Sequence, residues 1–216
     1  MGVGYNPRIV TDGLVLCVDA ANKRSYPGTG TTLTDIKGDS NGTLVNGATF
    51  SDDNGGGIVF DGTNDYITFG QTSLSVQGPA TIDIWASYSS TNGNRNLAAL
   101  TAGTAMTQIG VRSNGVVWKS GGYALITYTT PTIGQSANWI VTVDGSNFNV
   151  YIDGSLNNST TSASTPTGAN GSFWLGTFNG IGEFHQGSIY SARVYNRVLS
   201  ASEARQNFEA TKGRYE

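Results

Sequence analysis

The stretch GSIYSARVYNRVLSASEARQNF, residues 187–208, decides the fold, because it contains a strand that runs directly into a capped helix. Residues 188–195 are rich in strand-forming side chains. Ser200 precedes Glu203 by three positions, which is the spacing of a helix capping box, and Leu199 stands where a hydrophobic staple would pack. The pattern predicts one short helix docked against a body of β-structure.

The two ends of this stretch predict an irregular strand and a helix stop. Ile189 falls out of phase with the apolar Ala192, so we expect a β-bulge near residues 190–191. Phe208 completes the apolar face of the helix, and Gly213 is placed to end it.

The composition indicates a single all-β domain. Of the 216 residues, 38% are hydrophobic, 12% are charged and 30 are glycine. Low charge with many turn formers is typical of short strands joined by tight turns. The buried-strand pattern of residues 13–20 and the hairpin that turns at residues 144–145 belong to roughly a dozen such strands, which predicts a sandwich or jelly roll. Residues 1–12 are predicted to form an N-terminal arm and residues 13–216 one domain.

Charge and hydropathy argue against several partners. The net charge of −3, with no cluster of lysine and arginine, argues against a nucleic-acid partner. No apolar stretch approaches the length of a transmembrane helix, so we expect no membrane partner, and the N-terminus lacks the pattern of a signal peptide. Cys17 is the only cysteine, and its apolar neighbours predict a small buried side chain.

Four segments carry a specific resemblance to laminin-G-like domains of the concanavalin A-like lectin/glucanase group: the opening GLVLCVDAANKRSYPGTGTTLTDIKGDSNGTLVNGATF, FDGTNDYITF, WIVTVDGSNFNVYIDG and the closing YNRVLSASEARQNF. The resemblance covers about residues 12–215. It implies an all-β jelly-roll β-sandwich of two curved antiparallel sheets, here with one short C-terminal helix, in which the concave sheet shapes a ligand groove. The opening segment also resembles that of domains in structural proteins of tailed bacteriophages.

The carboxylates do not predict catalysis. Glycoside hydrolases of this fold need two carboxylates that flank the scissile bond. The only glutamates of the chain are Glu183, Glu203, Glu209 and Glu216. None of them lies in a strand pattern with a second carboxylate, and Asp83 is expected to be a solvated edge residue. The sole histidine, His185, is expected at the surface or at an interface. We therefore predict no catalytic residue, with a glycan hydrolase as the less favoured alternative.

Aromatic and amide side chains offer a glycan-binding surface, because a sugar ring stacks on an aromatic face. The candidate residues are Trp118, Tyr123, Trp174 and Asn179. Trp118 is expected to be partly exposed. Trp85 and Trp139 are expected to fill the core, and Trp174 could serve either role.

One turn could hold a metal ion. Asp61, Asn64 and Asp65 place three oxygen-bearing side chains close together in sequence, and calcium prefers oxygen ligands. The same residues also suit a tight turn, which we favour. No cofactor is required by this prediction, and calcium is the alternative.

The sequence and the resemblance together predict a non-enzymatic structural protein of a phage virion, made in the bacterial cytoplasm, with a lectin-like surface for capsid or tail decoration and adhesion. Its partners would be other virion proteins, copies of itself in a homo-oligomer, and glycans. The alternative is a carbohydrate-binding module of a bacterial surface or exported protein.

Overall fold

The structure, a computed structural model, describes residues 7–38, 40–75, 79–102, 105–111, 115–119, 124–144, 147–161 and 170–215. Within these residues sixteen strands form two packed antiparallel sheets, and one helix, α1 (Ala201–Thr211), follows the last strand. This confirms the all-β sandwich with a C-terminal helix. In chain order the strands are β1 (Leu14–Asp19), β2 (Thr32–Leu33), β3 (Gly42–Val45), β4 (Thr49–Ser51), β5 (Gly57–Asp61), β6 (Tyr66–Ser75), β7 (Ala80–Tyr88), β8 (Arg95–Ala102), β9 (Ala105–Val111), β10 (Gly115–Lys119), β11 (Ala124–Tyr128), β12 (Ala137–Asp144), β13 (Asn147–Ile152), β14 (Ser155–Thr161), β15 (Asn170–Leu175) and β16 (Gln186–Tyr195).

The order of strands in each sheet differs from their order in the chain. The first sheet runs β14-β13-β12-β7-β16-β5-β4, with β1 also paired to β16. The second sheet runs β11-β10-β9-β8-β15-β6-β3-β2. In each sheet a strand from late in the chain lies between strands from earlier parts, so the sandwich closes only through long-range pairing.

Strand β16 is the central element of the first sheet. One edge pairs with β7 along most of its length, whereas the other edge pairs with β5 over residues 186–189 and with β1 over residues 191–195. The register with β7 shifts between Ile189 and Ser191, which confirms the predicted bulge. The bulge lies where β16 changes partner from β5 to β1, and there the Tyr190 carbonyl accepts a hydrogen bond from Ala20 N–H.

Helix α1 begins as predicted and ends differently. Ser200 Oγ accepts from Glu203 N–H, and the Glu203 carboxylate accepts from Ser200 N–H, which completes the capping box. The helix runs to Thr211 and tightens into a 3₁₀ turn at Lys212–Arg214. The prediction for Gly213 was wrong, because this glycine lies inside the 3₁₀ turn and does not adopt the left-handed conformation of a glycine stop.

The sandwich is filled by apolar side chains from both sheets. Trp139, Phe60 and Phe173 are among the largest fully buried residues, which confirms the core position of Trp139. Cys17 is buried with a free thiol, as predicted. Trp85 is also buried, but it contacts α1 and the residues that follow it, which together form a helical layer on the first sheet. Its ring stacks on Phe208 at 5.8 Å and on Tyr215 at 4.2 Å between centroids.

The helical layer explains why β7 is buried on both faces. One face packs in the sandwich, and α1 with the residues after it covers the other. Asp83, which alternates with the apolar residues of β7, therefore lies under the helix with no exposed surface. The prediction that Asp83 is a solvated edge residue was wrong. The alternation of polar and apolar residues correctly indicates which face of β7 carries Asp83, but it does not indicate that α1 covers that face.

Asp83 is the centre of a buried polar network. Its carboxylate accepts from Arg193 Nη1 at 3.3 Å, from Asn138 Nδ2 at 2.7 Å and from Asn207 Nδ2 at 2.9 Å. Burial disfavours the charge of Arg193, but the facing Asp83 carboxylate outweighs it, and the pKa of Arg193 lies above its usual range. A buried charge is tolerated when it is paired and hydrogen-bonded in this way.

The described part of the N-terminal arm, residues 7–12, packs on α1. Val10 N–H donates to Asn207 Oδ1 at 2.8 Å, and the Val10 carbonyl accepts from Tyr195 Oη at 3.0 Å. Gln206 Nε2 donates to the Arg8 carbonyl at 2.7 Å. The arm thus joins the network around Asp83 through Asn207.

Among the residues that the structure describes, no helix has the length and apolar character that a membrane span requires.

Candidate functional site

The outward face of the second sheet carries one continuous cross-strand row. Backbone pairing places the following residues opposite one another from β3 to β9: Thr43, Thr68, Trp174, Ala99 and Gln108. Directly paired residues of antiparallel strands share a face of the sheet. Phe173 and Leu175 are buried in the sandwich, so Trp174 between them faces outward.

Trp174 is the aromatic residue of this row. It is half-buried, its ring lies 5.8 Å from the Tyr66 ring, and its indole Nε1 donates to Thr101 Oγ1 at 3.1 Å. The hydrogen bond and the neighbouring ring fix the orientation of the indole. The sequence left Trp174 open between core and site, and the structure places it outside the sandwich.

Asn179 lies beside Trp174 in the loop between β15 and β16. Asn179 is exposed and adopts a left-handed conformation, with φ of 59°. A Cβ at the next residue, Gly180, would lie 3.3 Å from the Trp174 ring, which shows how closely the loop approaches the indole. The loop that carries Asn179 is therefore brought up to Trp174.

The other two predicted residues are placed less completely. The Trp118 backbone is paired with Gln108, three strands from Trp174 and therefore about 14 Å away across the second sheet. Tyr123 lies outside the described residues.

Three polar residues that the sequence analysis did not select lie in the row or beside it. Gln108 is paired with Ala99, and Asn96 is paired with Gly110 two positions further along β9, so both lie on the outward face. Glu183, from the loop, accepts from Gln108 Nε2 at 2.9 Å through Oε2 and from Asn96 N–H at 2.9 Å through its carbonyl. Glu183 adopts φ of 55°, an uncommon conformation for a glutamate. In the sequence, the signal for this residue was an acidic side chain in a glycine-rich segment.

His185 fixes the base of the same loop. It is fully buried. Its backbone N–H donates to the Gly176 carbonyl at 2.8 Å, and its ring Nε2 lies 3.0 Å from the Ser87 carbonyl oxygen. Burial lowers the pKa of His185 to about 4. The prediction of a surface or interface residue was wrong, because the loop turns inward here and the ring packs edge-on against Phe60, with the centroids 5.8 Å apart.

Acidic side chains are rare on the described part of this face. The eight strands of the second sheet, within the bounds given above, contain no aspartate or glutamate. Glu183 is the acid that the loop brings to this face through Gln108. Arg95 is paired with Val111, and its Nη1 donates to the carbonyls of Gly62 and Phe184.

The predicted calcium ligands lie in a hydrogen-bonded turn between β5 and β6. Asp65 is buried and accepts from Asp61 N–H at 3.1 Å, while Asp61 accepts from Thr63 N–H at 2.7 Å. The Thr63 N–H lowers the pKa of Asp61, and burial raises that of Asp65. Asn64 is exposed. These contacts agree with the tight turn that we favoured, and calcium binding stays a prediction.

Across the residues that the structure describes, no group of three or more histidine, cysteine, aspartate and glutamate side chains could hold a metal ion.

Comparison with known proteins gives one family and many structures of the same fold. The family model described as the concanavalin A-like lectin/glucanases superfamily matches residues 61–205. Domain 4 of an extracellular arabinanase from Geobacillus stearothermophilus, solved with arabinotriose, is 20% identical with a TM-score of 0.72, and the match covers 90% of this chain and 97% of that domain. No curated protein matches the sequence.

Two larger proteins contain the same fold as one part. The binding domain of botulinum neurotoxin serotype G is 16% identical with a TM-score of 0.68, and the match covers 89% of this chain and 50% of that domain. The sialidase of Trypanosoma rangeli is 14% identical with a TM-score of 0.68, and the match covers 96% of this chain and 34% of the sialidase. The chain therefore spans half or less of the length of these two proteins.

Proposed function

Because the chain belongs to the concanavalin A-like lectin/glucanase superfamily, we propose that it is a non-enzymatic carbohydrate-binding domain that serves adhesion on a phage virion. One observation carries the binding part of the proposal. Trp174 faces outward on the second sheet, is held in a fixed orientation by Thr101 and Tyr66, and has the exposed Asn179 beside it. A half-exposed aromatic ring with an adjacent amide is an arrangement that binds sugars by stacking and hydrogen bonding.

The distribution of carboxylates supports binding without catalysis. Hydrolysis of a glycosidic bond by two carboxylates requires them about 5–10 Å apart on either side of the substrate. The strands of the second sheet contribute none, and the loop contributes Glu183. Asp83 lies in the first sheet beneath α1, where Arg193 and two amides engage its oxygens.

A structural neighbour agrees with the proposed ligand class. The arabinanase domain is similar over nearly its whole length and was solved with an oligosaccharide. At 20% identity this similarity extends to the fold alone. It suggests neutral oligosaccharides as the first ligands to test, and it keeps the carbohydrate-binding module of a bacterial surface or exported protein as the second candidate function.

The virion setting rests on the resemblance of the opening segment, residues 13–50, to structural proteins of tailed phages. In that setting the domain would be made in the bacterial cytoplasm, assemble with copies of itself and other virion proteins, and present the second sheet outward. Sizing by light scattering separates the two settings. An oligomer that also co-purifies with phage particles supports the virion, and a monomer absent from particles supports the exported module.

Binding is tested on a glycan array with two variants and a matched control. Trp174→Ala removes the stacking surface, and Asn179→Gly removes the amide while keeping the left-handed backbone accessible. Asn54→Gly is the control, because Asn54 also has a positive φ, of 50°, but contacts Tyr190 of the first sheet. We expect both site variants to lose at least tenfold in affinity and the control to bind normally. Unchanged binding by Trp174→Ala, or sugar release by the wild-type protein, would refute the proposal.

A further inference from the structure

The loop between β15 and β16 contains a tight turn at residues 178–182. Phe178 N–H donates to the Gly182 carbonyl at 3.0 Å, and Ile181 N–H donates to the Phe178 carbonyl at 3.3 Å. The hydroxyl group of the buried Thr177 donates to the same Gly182 carbonyl at 2.8 Å. These three hydrogen bonds hold the turn in one conformation.

The two central residues of this turn favour it by themselves. Asn179 and Gly180 have φ of 59° and 73°. Positive φ at both central positions is the pattern of a type I′ turn, for which Asn-Gly is a preferred pair. The turn is therefore ordered before any ligand binds, and a ligand that contacts it does not have to fix its backbone.

Gly180 lies where the turn meets two aromatic rings. A Cβ at this position would lie 3.3 Å from the Trp174 ring and 3.5 Å from the Tyr66 ring. Its chain neighbours, Asn179 and Ile181, are both exposed. Their Cα atoms are two positions apart and therefore at most about 7 Å from each other. An amide and an aliphatic side chain thus flank the point where the turn touches the aromatic pair.

Ile181 has the most exposed large apolar side chain in the described part of the chain, at 78%. A single exposed apolar side chain is common on protein surfaces and by itself indicates nothing. Ile181 differs because it lies in the turn that contacts Trp174, where a bound sugar would cover it. Its β-branched side chain has few rotamers, so covering it costs little conformational entropy.

We propose that Asn179 and Ile181 form a subsite for the acetamido group of an N-acetylated sugar whose ring stacks on Trp174. This inference rests on the proposed carbohydrate binding. An acetamido group consists of an amide, which both donates and accepts, and a methyl group. The Asn179 side chain likewise offers a donor and an acceptor, and the Ile181 side chain offers apolar surface for the methyl group.

The two side chains together determine which substituent of the sugar is preferred. A hydroxyl group at the same ring position bonds to Asn179 but leaves Ile181 in contact with water. A protonated amino group has no apolar part, and its charge loses hydration beside an aliphatic side chain. The subsite therefore selects the acetamido form of a sugar over both its hydroxyl form and its amino form.

The test compares matched oligosaccharides of glucose, N-acetylglucosamine and glucosamine, and the corresponding galactose series, on an array and by titration calorimetry. Burial of one methyl group corresponds to about a fourfold gain in affinity. With the better hydrogen bonding of the amide, the wild-type protein should bind the acetamido form about tenfold more tightly than the hydroxyl form.

Ile181→Thr keeps a β-branched side chain at an exposed position but replaces part of its apolar surface by a hydroxyl group. This variant should reduce the acetamido preference about fourfold, bind the hydroxyl sugar within about twofold of wild type, and melt at the wild-type temperature. Asn179→Gly should reduce the preference as well, because it removes the amide. Leu156→Thr is the matched control, because Leu156 is also exposed but lies on β14 at the edge of the first sheet. It should keep the wild-type preference.

The outcomes separate the two proposals. If the wild-type protein binds sugars through Trp174 but does not prefer the acetamido forms, the subsite is refuted and the carbohydrate-binding function stands. The same conclusion follows if Ile181→Thr keeps the full preference, or lowers only the melting temperature, because Ile181 would then serve the fold alone. If the wild-type protein binds no sugar on the array, the proposed function itself fails, and the subsite fails with it.

Discussion

Replacing Asp83 with asparagine tests whether the buried carboxylate joins the helical layer to the first sheet. Asparagine keeps the shape of the side chain but removes its charge and replaces one acceptor oxygen by an NH₂ group. Arg193 then has no counterion in a buried site, and either Asn138 or Asn207 has its amide N–H facing another donor.

The expected cost follows from the burial of both partners. The side chains of Arg193 and Asp83 are 5% and 0% exposed. Removing one member of such a buried pair costs about 3–5 kcal/mol, because the other charge remains buried without compensation. For a domain of this size the loss corresponds to a melting temperature lower by about 6–20 °C. The double variant Asp83→Leu/Arg193→Met should recover much of this loss, since it leaves no unpaired charge.

Urea unfolding followed by circular dichroism measures the difference in the free energy of unfolding between variant and wild-type protein. Tryptophan fluorescence should report the same change, because Trp85 stacks against the helical layer. Asp144→Asn, at the exposed end of the neighbouring strand β12, is the matched control and should change the free energy of unfolding by less than about 0.5 kcal/mol. A loss below about 1 kcal/mol for Asp83→Asn would mean that water reaches the carboxylate, and the account of the helical layer would be wrong.

Two further predictions concern pH. His185 is the only histidine, so its imidazole ¹H NMR signals can be titrated without assignment; we expect a midpoint near pH 4 in the folded protein, and a midpoint of 6–7 would contradict its burial. Because this pKa is lower than the roughly 6.5 of the unfolded chain, stability should be full above pH 6.5 and decrease as the pH falls through 4. The pKa of Glu203 is lowered to about 2, mainly by the hydrogen bonds from Arg197. The contribution of Glu203 to the stability of the fold should therefore be present above about pH 4.5 and lost as the pH falls through 2. Glu203→Gln should therefore cost about 1–2 kcal/mol at pH 7 and less at pH 2, and an equal loss at both pH values would show that the charge of Glu203 is irrelevant.

The features predicted correctly depend on residues that are close in sequence. The capping box needs only the three-residue spacing of Ser200 and Glu203, and the bulge needs only the phase of apolar residues along one strand. Local geometry determines both, so one segment of sequence is sufficient to find them.

The features predicted wrongly depend on contacts between distant residues. The partners Arg193 and Asn207 lie 110 and 124 positions from Asp83 along the chain, and His185 reaches Ser87 across 98 positions. A polar residue that alternates with apolar ones is normally placed toward water. The sequence indicates that a helix exists, but not which face of which sheet it covers.

The candidate site was predicted in part for the same reason. Trp174 and Asn179 are five positions apart and were proposed because an aromatic residue lies close in sequence to an amide. The row that places Gln108 next but one to Trp174 depends on β15 inserting between β6 and β8, and on the register of β15 with the consecutive strands β8 and β9 from a distant part of the chain. Nothing local to Asn96 or Gln108 marks them as neighbours of Glu183.

The central position of β16 also has a consequence for folding during translation. β16 separates β7 from β5 in the first sheet and pairs with β1, the first strand of the chain. Until residue 195 has left the ribosome, this sheet remains in three unjoined parts with exposed edges: β14-β13-β12-β7, β5-β4 and β1. Such long-range pairing is slow and leaves edges open to aggregation. The segment that first revealed the fold is therefore also the one whose synthesis completes it.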